Sequence, residues 1–79
     1  MKQITNEKNR YYPRLKTLRI GAGLNQTEVA ELLNVQQNQY SRYERGEREL
    51  PMHQFIVLAE YYNVSLDYMV GLSDVRERR

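Results

Sequence analysis

The chain of 79 residues contains no cysteine. A disulfide framework and a thiolate metal site are therefore excluded, and the absence fits a reducing compartment. Long hydrophobic runs are missing too. The longest, Phe55 to Ala59, falls far short of the roughly 20 apolar residues a membrane helix needs. The opening MKQITNEKNR has no apolar core and does not read as a secretory signal. These absences lead to the expectation of a soluble, cytoplasmic protein with no membrane partner. No β signal, internal repeat or low-complexity segment is found.

Chemistry is equally sparse. His53 is the single histidine, with no metal-type ligand three or four residues on, and it reads as a solvated side chain. Glu28 and Glu31 lie three apart without further ligands, so no metal is expected. Gly21–Gly23 (GAG) neither follows a strand nor carries the Lys and Ser/Thr of a phosphate loop. Asn63–Ser65 (NVS) reads as a helix stop followed by a helix cap. No nucleophile–base pair is present, so neither catalysis nor a cofactor is expected.

What is present is one small domain. A chain of this length buries only about 60–65 % of its unfolded surface, so the fold must be compact and spare. The net charge of +2 is unevenly placed. Lys2, Lys8, Arg10, Arg14, Lys16 and Arg19 precede Glu28 with only Glu7 among them, and Arg76, Arg78 and Arg79 crowd the other end. Basic ends suit a polyanion partner.

Residues 1–10 are polar and unpatterned and read as a flexible arm. The ordered domain is expected over 11–72, with a polar basic tail over 73–79. Pro13 suits the first turn of a helix. Leu15, Leu18, Arg19 and Ala22 then recur at helical spacing, giving a first helix over 13–22 that stops at Gly23. NQTE at 25–28 is a capping box, opening a second helix over 26–33 with Val29, Ala30, Leu32 and Leu33. Asn34 tolerates the left-handed turn that would close it.

A third helix spans 36–45 and ends before Gly46. Tyr40 and Tyr43 share one face with Glu44 at its edge, while Asn38, Ser41, Arg42 and Arg45 lie on the other. Pro51 reads as the start of a fourth helix with the buried stripe Phe55, Leu58, Ala59 and Tyr62, ended by Asn63. Ser65 caps a fifth, short helix carrying Leu66 and Met69 and closed by Gly71. The fold class is all-α.

The second and third helices, joined by the turn Asn34 to Gln36, form a helix-turn-helix candidate. Solvated helix faces usually use Glu and Lys, which pair along the helix. The third helix instead carries amides and arginines. Gln and Asn match the donor and acceptor of adenine N6 and N7, and the Arg fork matches guanine O6 and N7. The second helix begins with free N–H groups and a positive dipole end, a seat for a phosphate.

The stretch LKTLRIGAGLNQTEVAELLNVQQNQYSRYERGERELP, followed by LAEYYNVSLDYMVG, resembles the phage-repressor and Cro-type helix-turn-helix family. The resemblance covers residues 13–71. It rests on Leu-x-x-Leu-Arg, on Leu-x-Gln-x-x-x-Ala, on Tyr-x-x-Tyr-Glu-x-Gly and on Val-Ser-Leu-Asp. It implies a compact five-helix, lambda-repressor-like domain that binds double-stranded DNA as a transcriptional regulator, a repressor working as a homodimer on a palindromic operator.

By the same resemblance, Gln37, Asn38 and Arg42 are base-contacting, Gln36 touches base or backbone, and Ser41 is a weaker base candidate. Gln26 and Arg45 match phosphate contacts. Asn25 at the second helix start and Tyr40 at the groove edge are added to the phosphate set. Arg19 and Glu44 match a buried ion pair that links the first helix to the third. Two departures stand out: Pro51 replaces a capping serine or threonine, and Tyr40 and Tyr43 stand where aliphatic residues are common. Val57, Tyr61 and Tyr68 are the residues expected at a protein–protein surface. The alternative is a helical protein-interaction module on the same fold, an antitoxin or adaptor.

Overall fold

A computed structural model describes residues 11–78. The arm expected over 1–10, with Lys2, Lys8 and Arg10, lies outside the described residues, as does Arg79. The described residues form five helices: α1 Pro13–Gly21, α2 Gln26–Leu33, α3 Gln37–Arg45, α4 Met52–Tyr62 and α5 Leu66–Val70.

Each boundary has a local cause. Tyr12 caps α1 in an extended conformation, with Pro13 in the first turn where a missing N–H removes no helical bond. α1 ends one residue short of the expected boundary. Ala22 lies just past it and is exposed, and Gly23 takes the left-handed turn at φ 75°. The capping box opening α2 is complete: Asn25 Oδ1 accepts from the Glu28 N–H at 2.8 Å, and Glu28 Oε1 accepts from the Asn25 N–H at 2.9 Å. Asn34 and Asn63 close α2 and α4 in the left-handed region, at φ 58° and 57°. Asn tolerates that region because its short polar side chain bonds locally.

The capping box carries a measurable consequence. Asn25 is exposed, so Asn25→Ala removes the cap without opening a cavity. We expect it to lower stability by about 1 kcal/mol, read as a lower urea midpoint at unchanged slope. An unchanged midpoint would mean that water serves the α2 N-terminus as well as Asn25 does.

Pro51 proves to be the N-cap of α4 rather than its first residue. Its carbonyl accepts from the N–H groups of Gln54 and Phe55 at 3.0 and 3.1 Å, so α4 begins without a side-chain cap. The core joins Leu15 and Leu18 of α1, Val29, Ala30 and Leu33 of α2, Tyr40 and Tyr43 of α3, Phe55, Leu58 and Ala59 of α4, and Met69 of α5. Leu32 stays outside it, on the solvent side of α2. Gln54 was not anticipated as buried. It shares a face with Leu58 and sends its Nε2 toward the Leu33 carbonyl, which terminates α2.

The segment after α5 is not loose. Arg14 of α1 donates to the carbonyls of Tyr68 and Ser73, pairs with Asp74 at 2.7 Å, and lies 3.9 Å over the Tyr68 ring. The Ser65 N–H donates to the Arg76 carbonyl at 2.8 Å, and the Ser65 hydroxyl to the Val75 carbonyl. Residues 73–76 of the expected tail are thus fastened along α5 and α1.

Candidate nucleic-acid interface

The candidate surface is built on the turn between α2 and α3. Asn34 reverses the chain, and the Val35 N–H returns to the Ala30 carbonyl at 2.9 Å. Gln36 is the N-cap of α3 in extended backbone, one residue before the helix starts. α3 then lays Tyr40, Tyr43 and Glu44 into the protein. The two rings meet edge to face with centroids 6.3 Å apart, a favoured aromatic arrangement.

The opposite face of α3 is polar. Gln36, Gln37, Asn38, Arg42 and Arg45 are exposed, and Ser41 is half-buried between them. The structure thereby brings together the five residues expected to contact bases. Gln26 and Asn25 sit at the neighbouring α2 N-terminus, where unpaired N–H groups and the helix dipole favour an anion. Asn25 keeps its Oδ1 for the cap, which leaves Nδ2 as its outward donor.

Tyr40 is a correction. It was expected at a phosphate, but it is completely buried and its hydroxyl lies beneath the surface without a hydrogen bond of standard geometry. The reason is helical phase: the face that sends Tyr43 and Glu44 inward sends Tyr40 inward as well. Burial, reinforced by the nearby Glu44 carboxylate, pushes its phenol pKa well above the ordinary range. Tyr43 is better served, accepting from Gln39 Nε2 at 3.1 Å.

One polar path supports the surface from below. Arg19 grips Glu44 with two nitrogens, Nε to Oε2 at 2.7 Å and Nη2 to Oε1 at 3.2 Å, and its Nη1 donates to the Leu24 carbonyl. Their side chains are 12 % and 4 % exposed, so the ion pair expected here is indeed nearly desolvated. Gln26 Nε2 donates to Glu44 Oε1 at 3.1 Å, and Gln37 Nε2 donates to Gln26 Oε1 at 2.7 Å. Burial works to raise the Glu44 pKa. The Arg19 hydrogen bonds, the adjacent Tyr40 hydroxyl, Gln26 and the Arg19 charge outweigh it, and the carboxyl is held below its usual range.

Arg45 is already occupied. Its Nε and Nη2 bind both oxygens of Glu47 at 2.9 and 3.0 Å, and its Nη1 donates to the Ser41 hydroxyl. Both partners are about half exposed. Such a pair is held weakly in water, so a phosphate can displace Glu47 with little penalty. Glu47 has no counterpart in the sequence reading. An acidic residue directly after the glycine that closes α3 is the one signal that would have raised it.

No helix among the described residues is long and apolar enough to cross a membrane. A helix-turn-helix family model matches residues 15–69, most of the chain. The chain belongs to this helix-turn-helix family. It is 42 % identical over 65 residues to the HTH-type transcriptional regulator ImmR of Bacillus subtilis, a match spanning 82 % of this chain and 51 % of that protein. It is 34 % identical over 64 residues to the uncharacterized HTH-type transcriptional regulator YobD of the same organism, spanning 81 % and 57 %. The crystal structure of a transcriptional regulator from Listeria innocua superposes with a TM-score of 0.69 at 34 % identity, covering 89 % of this chain and 61 % of that one. The helix-turn-helix chain thus spans about half to three-fifths of the length of these relatives. The all-helical fold, with α2 and α3 as the helix-turn-helix pair, agrees with the family expected from the sequence.

Proposed function

We propose that the chain binds double-stranded DNA in a sequence-specific manner and regulates transcription, reading the major groove with α3. The observation that carries this reading is the exposed row Gln36, Gln37, Asn38 and Arg42, held on a helix whose opposite face is locked into the core. A B-form major groove admits one α-helix, and amide and guanidinium groups suit base edges. Gln26, Asn25 and Arg45 flank that row as phosphate contacts, which set the register of the helix on the duplex. The regulatory role is supported by the family and by relatives named as transcriptional regulators.

The mode of action is repression by occupancy, as a homodimer on a palindromic operator. One such domain covers only about half a helical turn of bases, and two-fold symmetry on half-sites one turn apart doubles the contact. Val57 and Tyr61, 40 % and 49 % exposed on α4, offer an apolar surface for the second copy. Tyr68 is less suited, because its ring is covered by Arg14. The protein acts without catalysis or a cofactor, in the cytoplasm and on the nucleoid.

A mobility-shift titration with duplexes selected from a random pool, repeated over a salt series, tests the reading. The expected result is a specific shift that weakens steeply with salt, in proportion to the phosphates neutralised. Binding to a protein partner that ignores salt, with no DNA shift, would identify an antitoxin or adaptor on the same fold instead.

A further inference from the structure

The turn that closes α3 sets an acidic side chain among the arginines of that helix. Gly46 takes φ 77°, and the Glu47 N–H returns to the Arg42 carbonyl at 2.9 Å. The Arg48 N–H reaches the same carbonyl at 3.3 Å. Glycine is required at 46 on two counts. The backbone there is left-handed, and an added Cβ would stand 3.0 Å from Tyr11 Cβ. Glu47 therefore leaves the helix end in a fixed direction, with its side chain exposed.

The Glu47 carboxylate fills one edge of the Arg45 fork, accepting from Nε at 2.9 Å and from Nη2 at 3.0 Å. Nη1 donates to the Ser41 hydroxyl, so each nitrogen of the guanidinium already donates within the chain. Hydrogen bonds from Arg45, with the charges of Arg45 and Arg42, hold the Glu47 carboxyl below its usual range, and it is an anion at neutral pH. Two oxygens on one edge of the fork is also the arrangement in which an arginine takes a phosphate. Glu47 thus stands where a phosphate oxygen pair would stand. The contrast with Glu44 is one of burial. The Arg19–Glu44 pair is nearly desolvated and fixes the fold, whereas the Arg45–Glu47 pair is about half exposed and free to exchange partners.

We propose that Glu47 is an acidic brake on DNA binding: it competes with the duplex for Arg45 and lowers the affinity of the chain for DNA of any sequence. The proposal rests on the DNA-binding reading and on the phosphate contact at Arg45 within it. A phosphate that takes the Nε–Nη2 edge must displace the carboxylate. One that binds beside it meets a second anion on the same guanidinium. In both cases part of the attraction of Arg45 is cancelled within the chain before a duplex arrives. The displaced carboxylate also stays tethered close to the phosphates, where its like charge is unfavourable and draws a cation back from solution. Phosphates repeat along every duplex and carry no sequence information, so the brake acts on all sites alike. Gln37 and Arg42 set which site is preferred, and Glu47 sets how tightly any site is held.

Fluorescence anisotropy on the full chain, with a selected duplex and an unrelated duplex over a salt series, tests the brake through Glu47→Gln, Arg45→Gln and the double variant. Glu47→Gln is expected to bind both duplexes severalfold more tightly, by the same factor, and to steepen the salt slope by about 1. In the Arg45→Gln background the same change is expected to gain almost nothing, because there is no arginine left to release. Weaker or unaltered binding by Glu47→Gln overturns the brake, and weaker binding would make Glu47 a buttress that holds Arg45 ready. A gain that persists in full without Arg45 also overturns it, since plain repulsion of the duplex would then suffice. In each of these outcomes the unmodified chain still binds, and the DNA-binding reading stands. Failure of the unmodified chain and Glu47→Gln alike to bind either duplex overturns that reading and the brake with it. Both side chains are exposed, and unchanged circular dichroism confirms that each variant is folded.

Discussion

Glu44→Ala is expected to lower the unfolding free energy by about 3–5 kcal/mol, measured by urea titration of the helical circular-dichroism signal. The reason is what the variant leaves behind. Arg19 keeps only the Leu24 carbonyl, and the Gln26 amide loses its buried acceptor. A nearly desolvated guanidinium without its carboxylate is far more costly than a broken surface pair. The loss is large on the scale of this domain, whose total stability is roughly 4–12 kcal/mol at ~0.05–0.15 kcal/mol per residue. A loss below about 1 kcal/mol would mean that the pair is solvated and worth no more than an exposed ion pair.

The same site gives a pH dependence with a definite sign. The Glu44 pKa is lower in the folded chain than in the unfolded one, so the unfolded state binds a proton more readily. The contribution is therefore fully present above the ordinary carboxylate range and is lost as pH falls through the folded value. Glu44→Gln cannot lose it. The stability gap between the unmodified chain and Glu44→Gln should narrow on acidification, and a gap that stays constant into acid would contradict the lowered pKa.

On the DNA-binding reading, Gln37→Ala and Arg42→Ala are each expected to reduce discrimination between the selected site and its variants by about 1–3 kcal/mol. That is roughly a fivefold to hundredfold loss apiece. The effect should concentrate at particular base pairs, because a bidentate amide or guanidinium addresses one base edge at a time. Non-specific binding should behave differently for the two. Gln37 carries no charge, so its loss leaves the salt slope alone. Both side chains are exposed, so folding should hardly change. Sequence selection from a random pool, followed by competition titration, reads both effects. An unaltered preferred sequence in the double variant would show that Gln37 and Arg42 do not read bases.

How much of this was legible in the residues depended on range. The capping box at Asn25 and Glu28, the left-handed Asn34 and Asn63, and the Ser65 cap each follow from chemistry within a few residues, and the structure contains all of them. Helical phase likewise placed the tyrosines inside and the amides outside. The same phase was not followed through for Tyr40, which was expected both to anchor the core and to reach a phosphate, and the structure buries it. The Arg19–Glu44 pair, 25 residues apart, was legible only through family resemblance. Arg14 was not legible at all: its partners lie 54 to 60 residues away, and no local pattern marks them. The buried Gln54 was missed for the same reason, its partner lying 21 residues away. Range does not excuse the Arg45–Glu47 pair, whose members are two residues apart and whose local sign was the acidic residue after Gly46.

The hydrogen-bond path from Arg19 to Gln37 also has a direction. A carboxylate can only accept, so Gln26 must turn its amide nitrogen toward Glu44 and its oxygen toward Gln37, which leaves the second Nε2 hydrogen and the backbone N–H as its donors to a phosphate. That oxygen can only accept, so Gln37 must answer with its nitrogen. Either amide alone could flip at small penalty, but the charge beneath them opposes both flips. Gln37 is left with one N–H and its carbonyl oxygen, the donor and acceptor that the N7 and N6 of adenine call for. The orientation of an amide at the surface is thereby set by a negative charge that lies almost wholly beneath it.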